Sequence, residues 1–101
     1  MIVIHADIPV TREKRSKAIE MSHEIAEQSR KEAGVIEYRV ATDIEDETVI
    51  RFFERYEDEA ALEAHSESDH FAAFASELPE LLDGEPTVMR FDVENASELE
   101  L

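Results

Sequence analysis

The 101-residue chain is long enough for one domain with a modest core and too short for two. It contains no cysteine, which excludes disulfides, thiolate catalysis and thiolate metal sites. With 26 acidic and 10 basic residues, the formal net charge is -16. This charge opposes binding to phosphate backbones and anionic lipid, so we expect neither nucleic acid nor a membrane as a partner.

The acidic residues occur in every segment of the chain and do not form a single tail. A densely acidic surface stays soluble where salt screens its self-repulsion, so we expect a halophilic source; the alternative is an ordinary acidic protein. No apolar run approaches the roughly 18 residues of a membrane span, and the N-terminus enters a strand without a signal-like segment. The sequence therefore predicts a cytoplasmic protein.

The first third of the chain predicts one strand followed by one helix. Residues 2–10 alternate in polarity, so that one face of the strand is fully apolar. A helix from about Thr11 or Arg12 to Ala33 gathers small and apolar side chains on one side. We expect Gly34 to end this helix in the left-handed conformation.

Two further strands are predicted over residues 35–42 and 48–56, joined by a polar turn. In the first of these strands the alternation places Ile36, Tyr38 and Val40 on one face. In the second, one face carries Ile50, Phe52, Glu54 and Tyr56, and the other carries Val49, Arg51, Phe53 and Arg55.

Two short helices come next. Asp58 is placed to cap a helix over residues 59–64, and Ser68 is placed to cap a second helix. Pro79 should bend or restart that second helix near Leu78, because proline cannot donate to the carbonyl four residues earlier.

A final strand over residues 87–93 completes the order strand, helix, strand, strand, helix pair, strand. This order predicts an α+β protein of ferredoxin-like fold, a split β-α-β with an antiparallel four-stranded sheet. We assign residues 1–93 to one domain and residues 94–101 to an acidic C-terminal tail. Both sheet faces carry large apolar residues, while the helices can cover only one. We therefore predict a homodimer formed through the second sheet face.

One segment combines aromatic, acidic and histidine residues in a recognisable pattern across the third strand and the two short helices. Its members are Tyr56, Glu57, Asp58, Ala61-Leu62, His65, Ser68 and His70-Phe71. This pattern resembles the signature of the antibiotic biosynthesis monooxygenase (ABM) family, and residues 2–8 and 34–38 resemble that family too. The resemblance implies a dimeric α+β barrel. The tryptophan often found at the end of the third strand in the family is Tyr56 here.

His65 ends one helix and His70 begins the next, so their side chains can converge on a pocket. Because histidine titrates near neutrality, either residue, or His5 in the first strand, could deprotonate a substrate hydroxyl. Alternatively, His65 donates to a backbone carbonyl at a helix end and His70 fills a helix N-terminus. We expect no metal site, because a spacing of five across a helix break is not the i, i+4 arrangement and no third ligand is evident.

The mixed sheet face is predicted to carry polar and charged side chains and one aromatic side chain from four strands. They are His5, Asp7, Arg39, Arg51, Phe53 and Arg90. These residues either form ion pairs at a dimer surface or line a pocket in which Arg51 or Arg90 steadies a developing oxyanion. If the apolar face forms the pocket instead, it is lined by Tyr38, Phe52 and Tyr56.

The resemblance implies a small monooxygenase that oxidises a phenolic or quinol-type aromatic with molecular oxygen and no bound metal or flavin. The candidate catalytic residues are His65, His70 and His5, and the candidate substrate-binding residues are Tyr38, Arg51, Tyr56, Phe71, Phe74 and Arg90. We do not expect haem, because the haem-degrading branch of the fold uses an early Asn and a late His, and this chain has neither.

Two alternatives to the monooxygenase share the same fold. One is a non-catalytic dimeric module that binds a small ligand or serves a stress response, and the other is an isomerase of a small metabolite. An enclosed apolar cavity that touches two or more of His5, His65, His70 and Arg90 would favour catalysis.

Overall fold

Four antiparallel strands form one sheet in a computed structural model that describes all 101 residues. The strands are β1 (Ile2–Pro9), β2 (Val35–Thr42), β3 (Val49–Tyr56) and β4 (Thr87–Asp92), in the spatial order β2-β3-β1-β4. The connection between β1 and β2 is a short 3-10 turn (Arg12–Lys14) and α1 (Arg15–Ser29), and that between β3 and β4 is α2 (Glu59–Ser66) and α3 (Asp69–Leu81). This confirms the predicted α+β ferredoxin-like fold.

The helices cover the apolar face of the sheet. The core packs side chains of β1, β2 and β3 against the small side chains of α1 and the end of α3. It consists of Ala6, Ile8, Val10, Ala18, Ile25, Ala26, Tyr38, Ile50, Phe52 and Leu81. The opposite sheet face, which we call the open face, has no helix against it. It carries the odd-numbered residues of β1 and β3, such as His5 and Phe53, which lie side by side in the strand register.

The two predicted caps are present at the starts of α2 and α3. The Asp58 carboxylate accepts a hydrogen bond from the Ala61 amide at 2.9 Å. The Ser68 hydroxyl oxygen accepts one from the Phe71 amide at 3.2 Å. Both caps use free N–H groups of the first helical turn, which confirms the helix starts predicted from sequence.

The first helix is shorter than predicted and ends at Ser29 instead of Ala33. After Ser29 the amides of Lys31 and Glu32 bond to carbonyls three residues earlier, so the chain tightens into turns. Gly34 does not adopt the predicted left-handed conformation, which occurs only at Gly84 (φ 114°). Gly34 is needed for space instead, because a Cβ built there would lie 2.3 Å from the Cβ of Ala61.

A bulge at the start of β2 changes the predicted face of one residue. The pairing with β3 shifts between Val35 and Glu37, so Val35 packs against the core while Ile36 is 45% exposed. Tyr38 and Val40 keep the inward orientation predicted for them.

The predicted restart of the helix near Pro79 does not occur, because α3 continues through this residue to Leu81. Proline cannot donate to the carbonyl of Ala75, but Ala75 and Pro79 are both exposed, so water can satisfy this carbonyl. The α3 face with Phe71, Phe74 and Leu78 therefore stays continuous and packs against the core.

The final strand ends at Asp92, and residues 94–101 are exposed and form no helix or strand. None of the helices combines the length and the apolar composition needed to cross a membrane.

We predict that Gly34→Ala lowers the free energy of unfolding by about 1–3 kcal/mol, because the added methyl group would overlap Ala61 of α2. The double variant Gly34→Ala/Ala61→Gly should lose less than the sum of the two single losses, because it removes the overlap. Urea denaturation of the four proteins measures this coupling, and strictly additive losses would contradict the close approach.

Candidate active site

The two histidines of the family-like motif meet at one carboxylate. His65 Nδ1 lies 2.9 Å and His70 Nε2 lies 2.6 Å from the same oxygen, Oε2 of Glu32. Glu32 comes from the turn between α1 and β2, whereas the histidines come from the end of α2 and the start of α3. The structure therefore brings His65 and His70 together, with ring centroids 5.9 Å apart, and supplies a third polar group that the sequence did not suggest.

His65 is only 3% exposed and is surrounded by aromatic rings. Its ring centroid lies 5.5 Å from Tyr38, 5.4 Å from Tyr56 and 5.3 Å from Phe71. These contacts, together with the hydrogen bond to Glu32, hold the imidazole in one orientation.

A cavity of about 300 Å³ lies between the sheet and the helices. Its walls are mostly apolar and come from β1, β2, β3, α1, α2, α3 and the start of β4. They include Ala6, Ile8, Ile25, Phe52, Phe71, Phe74 and Leu78. The exposed residue Val88 marks where the cavity reaches solvent beside β4. Its polar lining includes Tyr38, Glu54 and His65.

Glu54 is a buried carboxyl group on the helix-covered face of β3. Burial raises its pKa from 4.5 to about 7, although a hydrogen bond from Tyr56 at 2.5 Å opposes the shift. The negative charge of Glu32 adds to the rise. Glu54 can therefore gain or lose a proton near neutral pH inside an apolar cavity.

The two tyrosines next to Glu54 stay protonated. Burial and the charge of Glu54 raise the pKa of both Tyr38 and Tyr56. Tyr38 lines the cavity, while Tyr56 is fully buried beneath it and donates to Glu54. Both hydroxyl groups remain hydrogen-bond donors throughout the neutral range.

Two predicted site residues lie on the open face, away from the cavity. His5 stands between Phe53 of β3 and Met89 of β4 in the strand register. Arg51 forms ion pairs with Asp7 and, at 2.6 Å, with Asp43. The predicted mixed pocket of the open face is thus a set of side chains on an uncovered surface.

Arg90 was predicted on the mixed face with His5, and this assignment is wrong. The register pairs Arg90 with Ile4, so its side chain lies on the helix-covered side, at the sheet edge. There it bonds Glu59 at 2.6 Å and Asp92 at 3.0 Å, and these hydrogen bonds raise the pKa of its guanidinium. Arg90 does not line the cavity.

Of the four residues His5, His65, His70 and Arg90, the cavity touches only His65, so it does not meet the criterion of two such contacts that would favour catalysis. His70 lines a separate surface cleft with Met21, Glu24 and Glu77. The second titratable group of the cavity is Glu54, which sequence reasoning did not select. The sequence does contain a signal for Glu54, because the alternation of polarity in β3 places this carboxylate on the otherwise apolar face of the strand. Glu32 had no such signal, because it lies in a turn.

The family comparison agrees with this architecture. The family model described as antibiotic biosynthesis monooxygenase matches residues 1–77. Among curated proteins, the Bacillus subtilis protein named "Putative monooxygenase YcnE" is 32% identical over 93 residues, covering 92% of this chain and 98% of that protein.

Solved structures share the fold. Rv0793 from Mycobacterium tuberculosis superposes with a TM-score of 0.90 at 21% identity, covering 96% of this chain and 98% of that one. A conserved protein from Methanosarcina mazei Go1 gives a TM-score of 0.86 at 29% identity, covering 92% of each chain. With the family model matching most of its length, the chain belongs to the antibiotic biosynthesis monooxygenase family.

Proposed function

We propose that this protein is a monooxygenase that oxidises a phenolic or quinol-type aromatic in the cavity between the sheet and the helices. Molecular oxygen is the co-substrate, and the substrate supplies the electrons. Family membership supports the reaction class. The observation that carries the proposal is Glu54, a carboxyl group with a pKa of about 7 in an apolar cavity of about 300 Å³.

The cavity suits a small aromatic ring. Its volume lies at the lower end of the range for small-molecule sites, about 300–1,000 Å³. Phe52, Phe71 and Phe74 supply apolar and aromatic surface, while Tyr38 and His65 supply polar atoms at its wall. An apolar wall also limits the access of water to an electron-rich intermediate.

The reaction requires that a phenol lose its proton before it gives electrons to oxygen. Ionised Glu54 accepts that proton, and the resulting phenolate gives two electrons to oxygen and forms a C–O bond at a ring carbon that carries hydrogen. Glu54 returns its proton to the outer oxygen of this peroxide. The O–O bond then breaks, the ring hydrogen leaves with the outer oxygen as water, and one phenol and one O₂ have yielded one quinone and one H₂O. The neutral hydroxyl of Tyr38 donates a hydrogen bond to the substrate oxygen.

His65 acts as a second polar contact at the cavity wall. Its Nδ1 is engaged with Glu32, which leaves Nε2 for the substrate oxygen. His70 acts through Glu32 and does not touch the cavity. His5, Arg51 and Arg90 lie outside this arrangement, so we expect their replacement to leave oxygen consumption largely unchanged.

We predict that Glu54→Gln lowers kcat/KM for oxygen consumption by at least about 100-fold, because the amide cannot accept the proton. The measurement is oxygen uptake with a panel of phenols and quinols, in high salt and with a chelator present. Glu63→Gln, an exposed change on α2, is the matched control. In the wild type, kcat/KM should fall as the pH drops below about 7.

If neither Glu54→Gln nor His65→Ala lowers oxygen consumption, these residues take no part in the mechanism. Uptake that the chelator abolishes would contradict a reaction without a metal. If no member of the panel supports uptake while aromatic ligands still bind in the cavity, the non-catalytic binding module becomes the better description.

The same carboxyl group makes a prediction about stability. Its folded-state pKa is raised to about 7, so the folded protein holds this proton more tightly than the unfolded chain, and stability falls as the pH rises from about 4.5 to 7. The stability of the wild type relative to Glu54→Gln should therefore drop by up to about 3 kcal/mol between pH 4 and pH 8. Denaturation of both proteins across this range measures the difference, and a constant difference would contradict the shift.

We also propose that two copies pair through the open face. Phe53, Met89 and Phe91 on this face are 38%, 50% and 47% exposed, which leaves large apolar side chains on both sides of His5 uncovered in a single chain. The family resemblance supports such a dimer. Because each copy carries a charge of -16, pairing should strengthen with salt, which agrees with the proposed adaptation to high salt.

Phe53→Glu should convert the dimer to a monomer, because it replaces an exposed apolar side chain of the open face with a charge that pairing through this face would bury. Light scattering in 1 M KCl measures the mass. Ile44→Glu is the control, since Ile44 is 99% exposed in the β2–β3 turn and does not belong to the open face. A wild-type monomer at high salt, or equal effects of the two variants, would contradict this interface.

A further inference from the structure

We propose that Glu32, His65 and His70 form a binding site for one divalent first-row transition-metal ion. Their ligand atoms, one carboxylate oxygen and two imidazole nitrogens, all lie within 4.8 Å of one another. The three residues come from three different segments of the chain, so the cluster is a product of the fold. This inference does not depend on the proposed oxidation, in which no metal takes part.

The separations are close to those of a coordinated ion. Histidine nitrogen and carboxylate oxygen bind Zn²⁺ at about 2.0–2.2 Å, so ligand atoms on one ion lie about 3–3.5 Å apart. The Glu32 oxygen now lies 2.9 Å from the His65 nitrogen and 2.6 Å from that of His70. All three ligand atoms lie within 4.8 Å of one another, so small side-chain shifts would open room for the ion.

The ligand types define the class of ion. Two imidazoles and one carboxylate suit Zn²⁺ and neighbouring divalent transition metals, and three protein ligands leave further coordination positions for water. Binding also places a positive charge beside Glu32 in a strongly acidic protein, which is electrostatically favourable.

The ligands are held in place before any ion arrives. Ser68 caps α3 through the Phe71 amide, and its hydroxyl donates to the His65 carbonyl at 2.7 Å. This fixes the break between α2 and α3. The five-residue spacing of the two histidines, which argued against a metal site in the sequence, becomes a convergent pair because the chain changes direction at this break.

An ion can reach the site from solvent. His70 is half-buried and lines a surface cleft of about 150 Å³ together with Glu24 and Glu77. The two acidic residues of this cleft would attract a cation. On the inner side, His65 lines the main cavity, so the site lies in the wall between cleft and cavity.

The test is a titration of the chelator-treated full-length protein with Zn²⁺ by calorimetry, in 1 M KCl to suppress binding to scattered surface carboxylates. We expect one ion per chain. Glu32→Gln and His70→Ala should each weaken binding by at least about 100-fold. His23→Ala is the matched control, because His23 and Glu27 form an exposed pair at 3.3 Å with no third ligand, and it should bind as the wild type does.

Titration with Co²⁺ gives a second readout on the unmodified protein. Visible absorption bands typical of four- or five-coordinate Co²⁺ should appear and saturate at one equivalent, and Zn²⁺ should displace them. This Co²⁺ titration tests the proposal even if a variant does not fold. Absence of saturable binding to the wild type, or equal affinities in all four proteins, would overturn the proposal and leave the cluster as a hydrogen-bonded network.

Discussion

The carboxylate of Glu32 connects α2 and α3, the two helices that cover the cavity, to the turn between α1 and β2. One oxygen contacts His65 at the end of α2 and His70 at the start of α3, so two helices and the α1–β2 turn meet at a single atom. Hydrogen bonds to a charged group contribute more than neutral ones, about 1.5–3 kcal/mol each. The position of His65 in the cavity wall, and therefore the shape of the cavity, depends on this side chain.

The two faces of β3 show how burial and the hydrogen-bond partner together decide the pKa of a carboxyl group. On the open face, Arg51 and Arg55 form ion pairs with carboxylates, and these pairs stay within reach of solvent. On the helix-covered face, Glu54 has no cation beside it and is satisfied by the hydroxyl of Tyr56. An arginine partner would have lowered the pKa of this carboxyl group, whereas a tyrosine partner leaves it raised by burial.

The parts of the fold that depend on local chemistry could be predicted from the sequence. Alternating polarity located all four strands, and the side chains of Asp58 and Ser68 marked the two helix starts. The predictions for the site failed where distant segments decide the outcome. The face of Arg90 is set by its pairing with Ile4, and alternation within β4 cannot reveal that register. Glu32 meets histidines that lie 33 and 38 residues further along the chain.

The cavity has a consequence for how two copies would work together. All its walls come from one chain and lie on the helix-covered side of the sheet, whereas the apolar surface suited to a partner lies on the other side. Each subunit would then carry a cavity of its own. A mixed dimer of one active and one inactive subunit would have half the activity of a dimer with two active subunits, because the inactive subunit would not affect the other cavity.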